Sequence, residues 1–174
     1  DDARWMLPTA LDDPDPVIMF EHAGLYNVRG DVTPDGGPVD LTTARIRRSG
    51  DDVTLVTYGG SLAKSLDAAE ALVADGVSVE VLDLRSLRPI DVPAIIDSVA
   101  RTHRLVVVDE GWKSVGLSAE IVALVAEHAL WDLHAPVRRV CGIEVPVPYA
   151  KHMEEASVPQ VPGIIEAVRE VMGR

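Results

Sequence analysis

From residue 41 onward, short and almost wholly apolar segments alternate with longer ones whose apolar residues recur at helical spacing, and this alternation constrains the fold more than any other feature. "VSVEVLDL" (77–84) reads as a strand, and "RLVVVDE" (104–110) holds the continuous apolar run "LVVV". A strand with one face in water alternates polar and apolar residues, so a continuous run points to a sheet covered on both faces. Each such run is followed by a helical pattern. "DVTLVTYGG" (52–60) reads as a strand stopped by two glycines, and "SLAKSLDAAEALVADG" (61–76) as a helix with Leu62, Leu66, Ala69 and Val73 on one face and Gly76 at its carboxyl end. "DVPAIIDSVARTH" (91–103) reads as a helix capped by Asp91, with Pro93 in the permissive first turn. "LSAEIVALVAEHAL" (117–130) and "PQVPGIIEAVREVM" (159–172) read as helices, the second with Ile164, Ile165, Val168 and Met172 inward, while "TARIRR" and "PVRRVC" read as the first and last strands. Strand–helix alternation predicts helices on both faces of a parallel sheet. The expected architecture is α/β, a three-layer α/β/α domain over residues 41–174 with a mostly parallel sheet of about five strands.

Upstream the pattern changes. "ARWMLPTAL" (3–11) reads as a short helix stopped by the prolines of "DDPDP" (12–16), and "VIMFEH" (17–22) as a buried strand. Residues 23–40 carry four glycines and two prolines with no sustained period, which is a linker signature. One helix and one strand cannot bury their own apolar faces. Their partner is therefore either the later body or a part of the protein beyond this chain. A second feature also asks for a role: "EVPVPYAKHMEEASVPQ" (144–160) is too rich in proline for a strand or a long helix and too elaborate for a connector.

Parallel sheets bind ligands at the carboxyl ends of their strands, and three such ends stand out. "TYGGSLAK" (57–64) opens a helix with two glycines, which suits an anion, although it has neither the P-loop nor the dinucleotide spacing; a tight turn with Ser61 as helix cap is the plainer reading. "DEGWKSVG" (109–116) sets Asp109 beside Glu110, but adjacent residues leaving a strand point apart, which favours a structural loop with Trp112 over the sheet edge. "LRSLRPID" (84–91) offers Arg85 and Arg88 to an anion, or to the chain's own acids. The five histidines show no metal-ligand spacing; His128 falls on an apolar helix face and reads as packed or at an interface. The net charge of −12 argues against a nucleic-acid partner, and no apolar run is long enough for a membrane span. The amino end lacks the basic start of a signal peptide, and a single cysteine, Cys141, fits a reducing, cytoplasmic compartment.

Five motifs in register, "DPDPVIMFEHAGLY", "VEVLDLRSLRPID", "RLVVVDEGW", "GLSAEI" and "VPVPYAKHMEEASVPQVPGII", resemble the carboxyl-terminal half of the β subunit of 2-oxoacid dehydrogenase E1 components. The "PYAK…ME…PQ" segment is closer to the pyruvate dehydrogenase type than to the branched-chain type, and the acetoin dehydrogenase β subunit is similar. An independent phosphate- or small-molecule-binding α/β domain is the competing reading, and transketolase or deoxyxylulose-phosphate synthase relatives are disfavoured by the "PVPYAK" arm. The resemblance implies that residues 1–22 are the last helix and strand of a pyrimidine-binding domain, 23–40 the linker, and 41–174 a transketolase C-terminal-like domain. It implies a parent α2β2 heterotetramer that uses thiamine diphosphate and Mg2+ to decarboxylate a 2-oxoacid and acylate the lipoyl groups of an E2 acyltransferase. Cofactor and metal residues would lie outside this chain, so none is assigned here and the chain alone is expected to be inactive. The implied partners are the E1 α subunit, a second β subunit and the E2 subunit-binding domain. The residues this reading assigns to partner contacts are His134, Asp132, Glu154, Glu155, Tyr149 and Lys151. Relatives often carry an aspartate where His134 stands, in "LHAP", which puts acidic E2 docking in question at that position.

Overall fold

The computed structural model describes residues 1–173. Its elements run in the order α1 (Asp2–Asp12), β1 (Arg45–Arg48), β2 (Val53–Thr57), α2 (Ser61–Ala71), β3 (Val79–Asp83), α3 (Val92–Thr102), β4 (Leu105–Trp112), α4 (Leu117–His128), β5 (Arg138–Gly142), α5 (Lys151–Ser157) and α6 (Val161–Met172). The expected three-layer α/β/α architecture is present. The sheet has five strands in the order β1-β3-β2-β4-β5, with every pair parallel except β1 with β3.

Alternate side chains of each strand feed separate halves of the core. Val53, Leu55, Val106 and Val108 pack with Leu72, Ile164 and Val168 on the α2–α6 face. Val56, Leu82, Leu105 and Val107 pack with Ile95, Val99, Ile121 and Val125 on the α3–α4 face. β2 and β3 are buried at every position, their polar residues Thr54, Thr57, Glu80 and Asp83 included, because helices or neighbouring segments cover both faces of the sheet.

Local signals set the helix ends. The Asp91 side chain accepts from Ala94 N at 3.1 Å and caps α3, and its other oxygen accepts from Ala44 N at 2.8 Å, tying the cap to the approach to β1. Gly76 closes the α2 region in the left-handed conformation at φ 69°, which a residue without Cβ adopts freely. A buried polar network stitches α3 to the sheet. Thr54 Oγ1 lies 2.7 Å from Ser98 Oγ and 2.8 Å from Thr102 Oγ1, Ser98 donates to Glu80, and Arg101 donates to both Glu80 carboxylate oxygens at 2.8 and 2.7 Å.

Four expectations need correction. Residues 17–22 form no strand: they are extended and exposed, with Ile18 and Phe20 79% and 92% accessible, because no neighbouring strand pairs with them. The buried face of α2 carries Ser61, Ser65, Ala68 and Ala69, followed by Leu72; Leu62 and Leu66 flank it, and Val73 is half exposed because the chain tightens into a 3-10 turn at Leu72–Asp75 and rotates it outward. Ser61 is not the cap of α2: Gly60 occupies that position and Ser61 is the first helical residue. His128 is not packed in the core: it is exposed at the end of α4, whose inward stripe runs through Ser118, Ile121 and Val125, so of its two expected settings only the packed one is overturned.

The amino-terminal helix is docked by charge. α1 has no buried residue, but Asp2 sits between Arg45, Arg47 and Arg85, pairing with Arg47 and lying 3.5 and 3.8 Å from the other two. Arg47 also pairs with Asp83 at 2.8 Å. Arg85 donates to Thr43 O at 2.6 Å, so this arginine is engaged by the chain's own groups. Among the described residues, no helix is long and apolar enough to cross a membrane.

Candidate functional site

The sheet order places a topological switch point between β2 and β4: the chain leaves β2 toward β3 on one side and then crosses back to β4 on the other. The crevice at the carboxyl ends of two such strands is where open α/β sheets take ligands. Here those ends carry Tyr58-Gly59-Gly60 and Asp109-Glu110.

Asp109 and Glu110 point apart, as adjacent residues of a strand do. Asp109 is 1% accessible and accepts three hydrogen bonds: Tyr58 Oη at 2.6 Å and Gly111 N at 2.8 Å on Oδ1, and Ser118 N at 3.0 Å on Oδ2. Its carboxylate therefore braces the N-terminal turn of α4 and locks β4 to the end of β2. Burial, and then the bond to Asp109, push the Tyr58 phenol well above the ordinary tyrosine value of 10.0. Glu110 faces the other way. Its Oε2 lies 3.3 Å from His22 Nε2 and its Oε1 3.9 Å from Lys64 Nζ. Gly60 comes so close to the His22 ring that a Cβ there would overlap it. The glycine turn, whose amides could have faced an anion, is thus covered by the imidazole of His22, the residue just before the linker. Cys141 lies 3.3 Å from Ser118 Oγ, and burial raises its thiol above the usual range, which disfavours a thiolate. Among the described residues, no three His, Cys, Asp or Glu side chains are grouped as a metal site requires.

The raised Tyr58 value fixes a pH dependence. Below pH 10.0 the phenol carries its proton in both folded and unfolded chains. Above it the unfolded phenol ionises first, so the contribution of this residue, complete below 10.0, is lost as pH rises toward the folded value. Tyr58→Phe is expected to lower stability by about 1.5 kcal/mol at pH 8, and to flatten the loss of stability above pH 10, read as urea midpoints at both pH values.

The six residues that the sequence reading assigned to partner contacts fall in two places. His134 and Asp132 lie in the loop before β5, at the amino end of that strand. His134 is exposed and stacks on His103 with ring centroids 4.2 Å apart, while His103 Nδ1 is 2.9 Å from Asp132 O. Beside them runs an apolar groove of about 490 Å3 lined by Val122, Ala126, Leu130 and Pro136, with His134 on its lip. Tyr149, Lys151, Glu154 and Glu155 lie beyond the carboxyl end of β5, on the proline-rich arm and α5, all exposed. Lys151 and Glu155 pair along α5 at 3.8 Å. The arm is anchored: Glu144 accepts from Ser114 N at 3.0 Å, bonds to Ser114 hold its carboxyl below the usual range, and Ile143 N donates to Ser157 O at 2.9 Å. Beyond the anchors, Val147 and Tyr149 are 64% and 104% accessible. The structure therefore does not gather the six residues into one surface; β5 separates them. His22, Lys64 and the Tyr58–Asp109 pair escaped the sequence reading, since their contacts join residues 46–88 positions apart and no local pattern marks them.

Comparison with known proteins follows this geometry. The family model described as the transketolase C-terminal domain matches residues 42–164. The chain is 40% identical over 99% of its length to half of the mitochondrial pyruvate dehydrogenase E1 component subunit beta of Dictyostelium discoideum. It is 42% identical over 99% of its length to 48% of the Saccharomyces cerevisiae protein of the same name, and 39% identical over 98% to 53% of the pyruvate dehydrogenase E1 component subunit beta of Rickettsia bellii. The chain thus spans about half the length of these curated relatives. Among solved structures, a split-gene transketolase described as an inactive β4 tetramer superposes with a TM-score of 0.70 at 25% identity, over 83% of this chain and 46% of that one.

Proposed function

This chain belongs to the transketolase C-terminal domain family, and from that premise we propose that it is the C-terminal assembly domain of a pyruvate-type 2-oxoacid dehydrogenase E1 β subunit. The observation that carries the proposal is identity near 40% along almost the entire chain, matched to only about half of each relative. In this reading residues 1–22 are the end of a pyrimidine-binding domain, 23–40 the linker and 41–174 the assembly domain. The exposed apolar side chains of Ile18 and Phe20 support it, because they need a partner strand that 41–174 does not supply.

The parent is proposed to decarboxylate pyruvate with thiamine diphosphate and Mg2+ and to acylate lipoyl groups on E2, in a heterotetramer with the α subunit and a second β subunit. The cofactor supplies the carbanion chemistry. The residues present do not fit a site for it: the described donors form no metal cluster, and the glycine turn at the switch point is filled by His22. No step is therefore assigned to this chain's side chains. Their part is to present surfaces: the groove beside His134 and the arm around Tyr149 for partner subunits and E2 docking. A reducing, cytoplasmic setting belongs to the same proposal.

The test is to isolate the native polypeptide bearing this sequence from its source. The expected result is a mass roughly twice the 18.7 kDa of this chain, co-purification with a second subunit, and thiamine-dependent pyruvate decarboxylation by the assembly. A native polypeptide of 174 residues without that activity would overturn the reading.

A further inference from the structure

Residues 11–36 are exposed throughout, and few bonds hold this stretch. Thr33 and Val39 are tied to α1: Thr33 N donates to Asp1 Oδ1 at 2.7 Å, and Val39 N to Trp5 O at 3.3 Å. Against the sheet there is His22. Its ring lies between two glycines. A Cβ on Gly24 would meet it at 3.1 Å, and one on Gly60 would come within 2.7 Å of Cδ2. Its Nε2 faces Glu110 at 3.3 Å.

We propose that His22 is a pH-sensitive latch that fastens the start of the linker, residue 23 onward, over the crevice between the carboxyl ends of β2 and β4. The glycines make the seat, and Glu110 supplies the attraction. An imidazole is attracted by a carboxylate as a full ion pair only when protonated. The charged groups around the ring are few. From β4 comes Glu110. From α2 comes Lys64, which is 3.9 Å from the same carboxylate and competes for it. Asp109 is turned away and occupied by Tyr58 and two backbone N–H groups. Next to His22 in the chain, Glu21 accepts from Tyr26 Oη at 2.5 Å. The N-terminus of α2 disfavours a cation beside Gly60, so the charge on Glu110 is needed to hold a protonated ring there. When the imidazole is neutral, Lys64 keeps the carboxylate and the linker is held by the fit of the ring alone. The crevice then opens more often.

The turn directly after His22 reports the latch, because Leu25 N donates to His22 O at 2.9 Å and Tyr26 N to Ala23 O at 3.2 Å. Amide exchange at Leu25 and Tyr26, corrected for the intrinsic effect of pH, is to be measured on the native polypeptide that bears this sequence, at pH 5.5 and 8.5. Opening is expected to be about two- to fivefold more frequent at pH 8.5, the range of a partly exposed ion pair. Glu110→Gln should bring that ratio to one. Gly60→Val keeps both charges but blocks the seat, and should give fast exchange at both pH values. A ratio of one in the unaltered chain would overturn the proposal. So would a ratio that survives Glu110→Gln, or one that appears equally at Val107 in the sheet interior.

Discussion

Asp109→Ala is expected to destabilise the chain by about 4 kcal/mol, a large part of the roughly 5–15 kcal/mol that holds a domain of this kind. The carboxylate accepts from Tyr58 Oη, Gly111 N and Ser118 N, and it is 1% accessible. Removing it strands three donors, of which Ser118 N is buried and the others are in part open to water, and each stranded buried donor costs about 1–3 kcal/mol. It also removes a negative charge from the N-terminal turn of α4. Asp109→Asn keeps the shape, but its NH2 must face at least one of those donors, so about half the loss should remain. Urea unfolding of the three proteins measures this directly. A loss below about 1 kcal/mol for the alanine variant would mean that Asp109 does not brace β4 and α4 as its bonds indicate.

The second large effect is expected at the α3 network. Glu80, the second residue of β3, is 1% accessible, and Arg101 meets both of its oxygens. The arginine itself is half exposed, so the pair gains less than two fully buried ions would. The asymmetry decides the outcome: Arg101→Met leaves a carboxylate inside the sheet–helix interface without its counterion, and is expected to cost about 2–4 kcal/mol. Ser98 still donates to Glu80, which keeps the loss at the lower end. The double variant Glu80→Met, Arg101→Met removes both charges and should recover most of the stability of the single one. Equilibrium unfolding of both variants tests it, and a double variant less stable than Arg101→Met alone would show that the network holds the fold as a unit.

The body was readable because its signals are either local or imposed by burial on both faces. "LVVV" in β4 has no polar alternation because helices cover both its sides, and Asp91 caps a turn only three residues away. The misreadings share a cause of another kind. "VIMF" at 17–20 is as apolar as a strand, but an apolar run does not say whether a neighbour exists to bond it. In α2, serines face inward where leucines were expected. Ser61 and Ser65 have 0% accessibility on the face turned to the sheet, and apolar periodicity cannot see a face made of small residues. His128 was misplaced because α4 is apolar nearly all round, so its pattern does not fix which side turns inward. The switch-point contacts were hidden more deeply. Tyr58 and Asp109 are 51 residues apart, and only the strand order makes them neighbours.

The sheet that divides the interior also divides the effects of change. Within β4, Val106 and Val108 belong with Ile164 and Val168, whereas Leu105 and Val107 belong with Ile95 and Ile121. A substitution on the α6 side is repacked by one set of neighbours and one on the α3 side by another, so their energetic effects combine nearly independently. Sequence drift on one face therefore leaves the other face's constraints intact. One layer can be remodelled around a new subunit contact while the opposite layer keeps its packing, with the β sheet as an insulating wall between the two.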